Sequence, residues 1–166
     1  MFMSRRVLNI FGFVCCAALL GYAYVLQYVD ELDPCPLCIF QRVAFLALGI
    51  FFILAAAHNA ERIGSRVYGV LLFISGAAGV AIAWRHIWLQ NLPPDQVPHC
   101  GPGLEYMLDS FPLAETLKLV LTGSGECADI SWQFLGLSIP AWALVWFVLL
   151  GVGGLINNFR AKAVAN

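Results

Sequence analysis

VLNIFGFVCCAALLGYAYVLQYV, residues 7–29, runs for 23 residues without a charged side chain and follows directly on Arg5-Arg6. About 20 apolar residues are needed for a helix to cross the hydrocarbon of a bilayer, so this stretch is read as a membrane span. A secretory signal also begins with basic residues, but its apolar core is only about 7–15 residues long. The helix is therefore expected to be retained. Three further stretches of the same kind follow, at about Ile39–Ala57, Val67–Trp88 and Ile139–Ile156, the last at the short end of the range. Composition agrees: 61% of the 166 residues are hydrophobic and 11% are charged, too few to cover a water-exposed core of this size. Arg5-Arg6 is the largest basic cluster, which argues against nucleic acid as a partner.

The breaks between the spans fix their order and direction. Asp30-Glu31-Leu32-Asp33-Pro34 ends the first helix and leads into the second, a turn short enough to make them antiparallel neighbours. A polar loop from His58 to Arg66 joins the second to the third. Basic residues are retained on the cytoplasmic side. Arg5 and Arg6, Arg62 and Arg66, and Arg160 and Lys162 occupy the three segments that must share a side in a four-span chain. The two remaining loops, about 30–38 and 89–138, carry nine carboxylates against Lys118 alone. The expected architecture is an all-α bundle of four membrane helices forming one domain over 1–166, with both termini cytoplasmic and two loops outside. Within the longer loop Pro93-Pro94, Pro98 and Pro102 argue against early regular structure, whereas Leu113–Leu121 reads as a short amphipathic helix.

Four of the six cysteines fall in these outer loops: Cys35 and Cys38 in the first, Cys100 and Cys127 in the second. Loops this small do not need so many staples, and the outer compartment is oxidising. Cys35-Pro36-Leu37-Cys38 has the spacing of a redox-active dithiol, and its place at a helix start favours a thiolate. Arg42 follows Cys38 by four residues, on the same helix face and about 6 Å further along the axis. An isolated arginine here would read as a snorkelling anchor. One turn from a CxxC, it reads instead as a charge that stabilises the Cys38 thiolate or hydrogen-bonds a bound acceptor. Cys15 and Cys16, inside the first span, point in different directions and read as small apolar packing residues. Zinc ligation by the loop cysteines and His99 is a weaker alternative, because the second loop lacks a matching close pair. His99 next to Cys100 either lowers that thiol's pKa or is incidental. Arg85 and His86, between Trp84 and Trp88, read first as an interfacial aromatic and basic belt and second as groups near an acceptor.

Four spans, Pro34-Cys35-Pro36-Leu37-Cys38, Arg42, and Ser124-Gly125-Glu126-Cys127-Ala128 followed by Trp132-Gln133-Phe134-Leu135-Gly136-Leu137 together resemble the bacterial DsbB family over nearly the whole chain. At position 41 this chain has Gln where some relatives carry a carboxylate. The resemblance implies a disulfide oxidoreductase of the bacterial inner membrane, cysteine loops facing the periplasm, with no metal. It would reoxidise a soluble DsbA-like thiol oxidase and deliver the electrons to a membrane quinone, ubiquinone or menaquinone. It also implies that Cys35, Cys38, Cys100 and Cys127 are catalytic. Cys100 would form the mixed disulfide with the partner, Cys127 would be its disulfide partner, and Cys38 would face the quinone beside Arg42. Two alternatives are weighed against this. A quinone-linked protein of the vitamin K epoxide reductase type would carry its CxxC near the last span, whereas here it precedes the second. A purely structural tetraspan would use the same cysteines as staples and leave quinone unreduced.

Overall fold

The computed structural model describes residues 4–93, 95–98, 106 and 109–160. Four helices in it are long and apolar enough to cross a membrane: α1 Arg5–Tyr28, α2 Pro36–His58, α3 Ile63–Gln90 and, last in the chain, α5 Ile139–Phe159. Between α3 and α5 lie the short helix α4 Leu113–Thr122, a 3-10 turn Gly125–Cys127, and a minimal antiparallel hairpin, β1 Gln133–Phe134 with β2 Leu137–Ser138.

Local chemistry sets the helix ends. The Ser4 side chain accepts from the Val7 N–H and caps α1. Proline opens α2 at Pro36 and sits in the first turn of α5 at Pro140, where a missing N–H costs nothing and the fixed φ suits a helix. Asn59 ends α2 in the left-handed region, a conformation asparagine tolerates.

The helices pack through stripes spaced alternately three and four residues apart. On α3 the buried stripe is Ser65, Gly69, Leu72, Gly76, Gly79, Ala83, His86. Its small members let α3 and α5 approach at backbone distance: a Cβ on Gly76 would lie 2.8 Å from the Cα of Gly151. Lipid tails are as apolar as leucine, so close packing of small residues, rather than burial alone, holds such helices together. The core is centred on Phe45 and Phe147, stacked 3.9 Å apart, with Leu48, Phe52, Leu72 and Cys16 around them. Cys16 thus packs as the small apolar residue the sequence suggested. Large apolar side chains such as Phe11, Val43, Ile74 and Leu149 point outward, as expected of a surface solvated by lipid.

At the end of the bundle that carries Arg5 and the α2–α3 loop, polar side chains are buried. Asn9 exchanges amide hydrogen bonds with Asn158 (3.2 and 3.0 Å) and accepts a third from Asn157 at 3.0 Å. Ser65 donates to the Asn158 carbonyl and accepts from Arg5. The network ties α1, α3 and α5 together. α5 accordingly runs to Phe159, past the end of the apolar run at Ile156, because Asn157 and Asn158 find partners inside the bundle.

Candidate active site

The opposite end of the bundle gathers the cysteines. Cys35 caps α2 and Cys38 lies in its first turn, with their sulfurs 3.3 Å apart at the positive end of the helix. The pair straddles two environments. Cys38 lines a cavity of about 390 Å³ between α1, α2 and α5, whereas Cys35, buried, faces α3 and the outer loop.

On the loop side Cys127 is fully buried against Cys35. Its Sγ, the Cys35 Sγ and a ring nitrogen of His86 all lie within 4.8 Å of one another. Non-local packing brings Cys127 there. Val120 of α4 and Leu89 of α3 form a small buried cluster with Leu37, Cys35 and Cys127, and Arg85 donates to the Thr122 carbonyl at the end of α4 (2.9 Å) while stacking on Trp88. Gly123 then reverses the chain at φ +85°, and a Cβ there would strike the Leu89 side chain. The 3-10 turn follows, closed by the Cys127 N–H on the Ser124 carbonyl at 2.9 Å. The Cys127 thiol is held well above the ordinary thiol range, first by its hydrogen bond to Cys35, then by burial and by the charge Cys35 can carry. Docked in this way, Cys127 is protected as a thiol.

His86 corrects the sequence reading. Its belt-like neighbours Trp84 and Trp88 are exposed, but His86 itself is buried, because it continues the α3 stripe that Ser65 begins. Its Nε2 is 3.7 Å from the Cys35 sulfur and its Nδ1 is 3.1 Å from the amide nitrogen of Gln41. Gln41 is likewise buried, one turn inward from Cys38 on α2. If the Gln41 amide donates, Nδ1 accepts, and the remaining proton sits on Nε2, aimed at Cys35. The 3.6-residue periodicity of small residues on α3 was the signal that could have placed His86 inward.

Arg42 lies where the sequence placed it, on the Cys38 side of α2. Its guanidinium donates to the Gln27 side-chain oxygen (2.5 Å) and to the Ala23 carbonyl (3.1 Å), and sits 5.1 Å from the centre of the Tyr24 ring. Cys38, Gln41 and Arg42, with Asp33 and Ser131 at the loop end, are the polar side of a cavity whose other walls include Leu19, Leu26 and Phe45. Trp132 and Phe134 from the hairpin segment and Trp142 and Trp146 from α5 complete it, with the Trp142 indole donating to the Phe134 carbonyl at 3.0 Å. The hairpin turns through Leu135 and Gly136, both at positive φ, as a two-residue hairpin of this hand requires. Cavities of about 300–1,000 Å³ with apolar walls and a few polar groups are typical small-molecule sites. A planar, apolar ring bearing hydrogen-bond acceptors fits this donor set.

Chemically, Cys35 is the middle of three sulfurs. Exchange can pass electrons along such a row: attack of the loop thiol on Cys35 moves a disulfide outward and frees Cys38 as a thiolate at the cavity wall. Cys100 and His99 lie outside the described residues, so the loop partner of Cys127 is not part of this geometry.

A family model described as disulfide bond formation protein DsbB matches residues 5–156. Among similar proteins, disulfide bond formation protein B of Nitrosococcus oceani is 55% identical over 150 residues, which is 90% of this chain and 89% of that protein. The protein of the same name from Hahella chejuensis is 51% identical over 146 residues, 88% of each chain. That of Methylococcus capsulatus is 46% identical over 159 residues, 96% of this chain and 97% of the relative.

Proposed function

The chain belongs to the DsbB family of disulfide bond formation proteins, and on that premise we propose that it reoxidises a soluble, DsbA-like periplasmic thiol oxidase and passes the electrons to a quinone held beside Cys38. As a family member it is a membrane oxidoreductase that generates disulfides. The observation that carries the finer reading is the row of sulfurs: Cys127 buried against Cys35, and Cys35 3.3 Å from Cys38, which lines the cavity.

The relay runs as follows. The partner's nucleophilic thiolate attacks Cys100 of a Cys100–Cys127 disulfide, forming a mixed disulfide and releasing Cys127. Cys127 attacks Cys35 of the Cys35–Cys38 disulfide, which makes a Cys35–Cys127 bond and frees Cys38 as a thiolate. The partner's second thiol then resolves its mixed disulfide and leaves oxidised. Each exchange breaks one S–S bond and forms one, so two electrons move inward per partner molecule. A quinone supplies the two-electron sink in hydrocarbon, where the thiol substrates cannot go.

The chain's own residues do the rest. His86 sets Nε2 against the Cys35 sulfur, between the loop and the cavity, and Gln41 fixes the ring by binding Nδ1. Arg42, pinned by Gln27 and Ala23, holds positive charge on the Cys38 side of the cavity and turns its remaining N–H groups to an acceptor carbonyl. The aromatic walls cover the cavity side of the Cys38 sulfur. We place the cysteine end of the bundle in the periplasm of a bacterial inner membrane, because the opposite end carries Arg5, Arg62 and Arg66.

The test is quinone reduction by the purified protein given a reduced DsbA-like partner. Stoichiometric quinol is expected, lost on Cys38→Ser. A protein that leaves quinone oxidised while its thiols are turned over would make the cysteines structural staples.

A further inference from the structure

Cys35, Cys127 and His86 converge more tightly than exchange between two sulfurs requires. Exchange needs no imidazole nitrogen beside the two sulfurs, yet all three ligand atoms lie within 4.8 Å of one another and all three residues are buried. Tetrahedral zinc, with about 2.3 Å to sulfur and 2.0–2.1 Å to nitrogen, sets about 3.8 Å between two sulfurs and about 3.6 Å between sulfur and nitrogen. Cys35 Sγ is 3.7 Å from His86 Nε2, and the Cys127 Sγ lies within 4.8 Å of both, so shifts of about 1 Å or less bring the three ligand atoms to those values. We propose that the fully reduced protein carries a metal site for a borderline-soft divalent cation such as zinc, formed by Cys35, Cys127 and His86, with an exogenous ligand such as water completing the tetrahedron.

Two independent features support it. Gln41 reaches His86 Nδ1 at 3.1 Å, and with its amide turned so that the side-chain oxygen accepts Nδ1–H it leaves Nε2 unprotonated for the metal, which is how ligating histidines are oriented in metal proteins. A narrow cleft of about 40 Å³ also reaches Cys35, Cys38 and His86 from the loop side, and Asp33, Glu126 and Asp129 line it, giving a cation an acidic route inward. Binding displaces the thiol protons and changes no oxidation state. A Cys35–Cys127 disulfide removes two of the three protein ligands and a Cys35–Cys38 disulfide removes one, so the site exists only in the reduced protein. Occupancy engages the sulfurs that exchange disulfides and arrests the enzyme in its reduced form, a consequence that rests on the relay proposed above.

The experiment is an anaerobic titration of the reduced, detergent-solubilised full chain with Co²⁺, followed by displacement with Zn²⁺. The expected result is a single ion per chain with intense tetrahedral d–d bands and near-ultraviolet thiolate-to-cobalt absorbance, absent after oxidation. Cys127→Ser and His86→Ala should each weaken Zn²⁺ binding about tenfold or more, a loss already typical of groups that only support a ligand. Should His86→Ala fail to fold, Cys127→Ser, a one-atom change outside the membrane helices, carries the test alone. Pale octahedral cobalt, or affinity unchanged by Cys127→Ser, overturns the site. Metal binding needs no turnover, so its failure leaves the redox reading intact. Metal binding in a protein that never reduces quinone would sustain the site and remove the redox reading instead.

Discussion

Replacing Arg42 with methionine removes the positive charge from the cavity while keeping an unbranched apolar stem. Arg42 has five N–H donors, and Gln27 and Ala23 take two of them, leaving three for an acceptor in the cavity that Arg42 and Cys38 both line. A hydrogen bond from a charged donor contributes about 1.5–3 kcal/mol. At about 1.4 kcal/mol per factor of ten, its loss should raise the apparent quinone KM about 10- to 150-fold, or lower turnover correspondingly if the bond tightens only as the acceptor gains charge. Arg42→Lys should fall between, because it keeps the charge but cannot hold Gln27 and Ala23 with one planar fork. The assay is steady-state reduction of a short-chain quinone in detergent with the reduced partner in excess. Single-turnover exchange with the partner, measured without quinone, serves as control and should be unchanged, since Arg42 lies on the cavity side of Cys38. Unaltered quinone kinetics in Arg42→Met would reduce Arg42 to a snorkelling anchor.

Orientation is checked with a membrane-impermeant maleimide on intact cells carrying single cysteines in a cysteine-free background: Asp95→Cys should label from outside and Glu61→Cys only after permeabilisation, and labelling of Glu61→Cys in sealed cells would reverse the topology. Ser65 cannot serve for this, because it is buried and hydrogen-bonded to Asn158 and Arg5. Because Cys127 has a raised pKa, its neutral thiol is favoured in the docked state, and that contribution is complete below the ordinary thiol pKa of about 8.5 and is lost as pH rises above it. Alkylation of Cys127 in the reduced protein, followed by peptide mass spectrometry, should therefore keep accelerating well beyond the pH at which a free thiol levels off; a plateau near pH ~8.5 would contradict its burial against Cys35. Gly76→Ala should destabilise the α3–α5 contact by about 1–3 kcal/mol, since its Cβ meets the Gly151 backbone, whereas Gly153→Ala, with open space around it, should be near neutral. Thermal unfolding midpoints in detergent compare the two, and equal midpoints would dismiss close backbone packing as the source of stability.

The four helices were legible because bilayer thickness imposes a length that apolar runs must meet. Cys35, Cys38 and Arg42 were legible as well, being local: one helix start and one turn place them. Cys127 was legible as a loop thiol, but the packing that seats it against Cys35 was not, since it depends on Leu89, Val120 and the reversal at Gly123, which are distant in sequence from Cys35. His86 was misjudged for a different reason. Its flanking tryptophans follow the composition of an interface, while its own direction is set by the stripe it shares with Gly79 and Ala83. Asn157 and Asn158 show the same limit: hydropathy ends the last span at Ile156, but hydrogen bonds to Asn9 allow two polar residues to extend it into the bundle.

The central claim is that electrons enter at the long loop and cross to Cys38 by way of Cys35. It is tested most directly by mapping the disulfides of a complex trapped with a partner that retains only its nucleophilic cysteine. The relay requires the partner on Cys100, a Cys35–Cys127 bond between the two outer loops, and a free Cys38 on the cavity wall. A partner attached to Cys35, with Cys100–Cys127 intact, would contradict it.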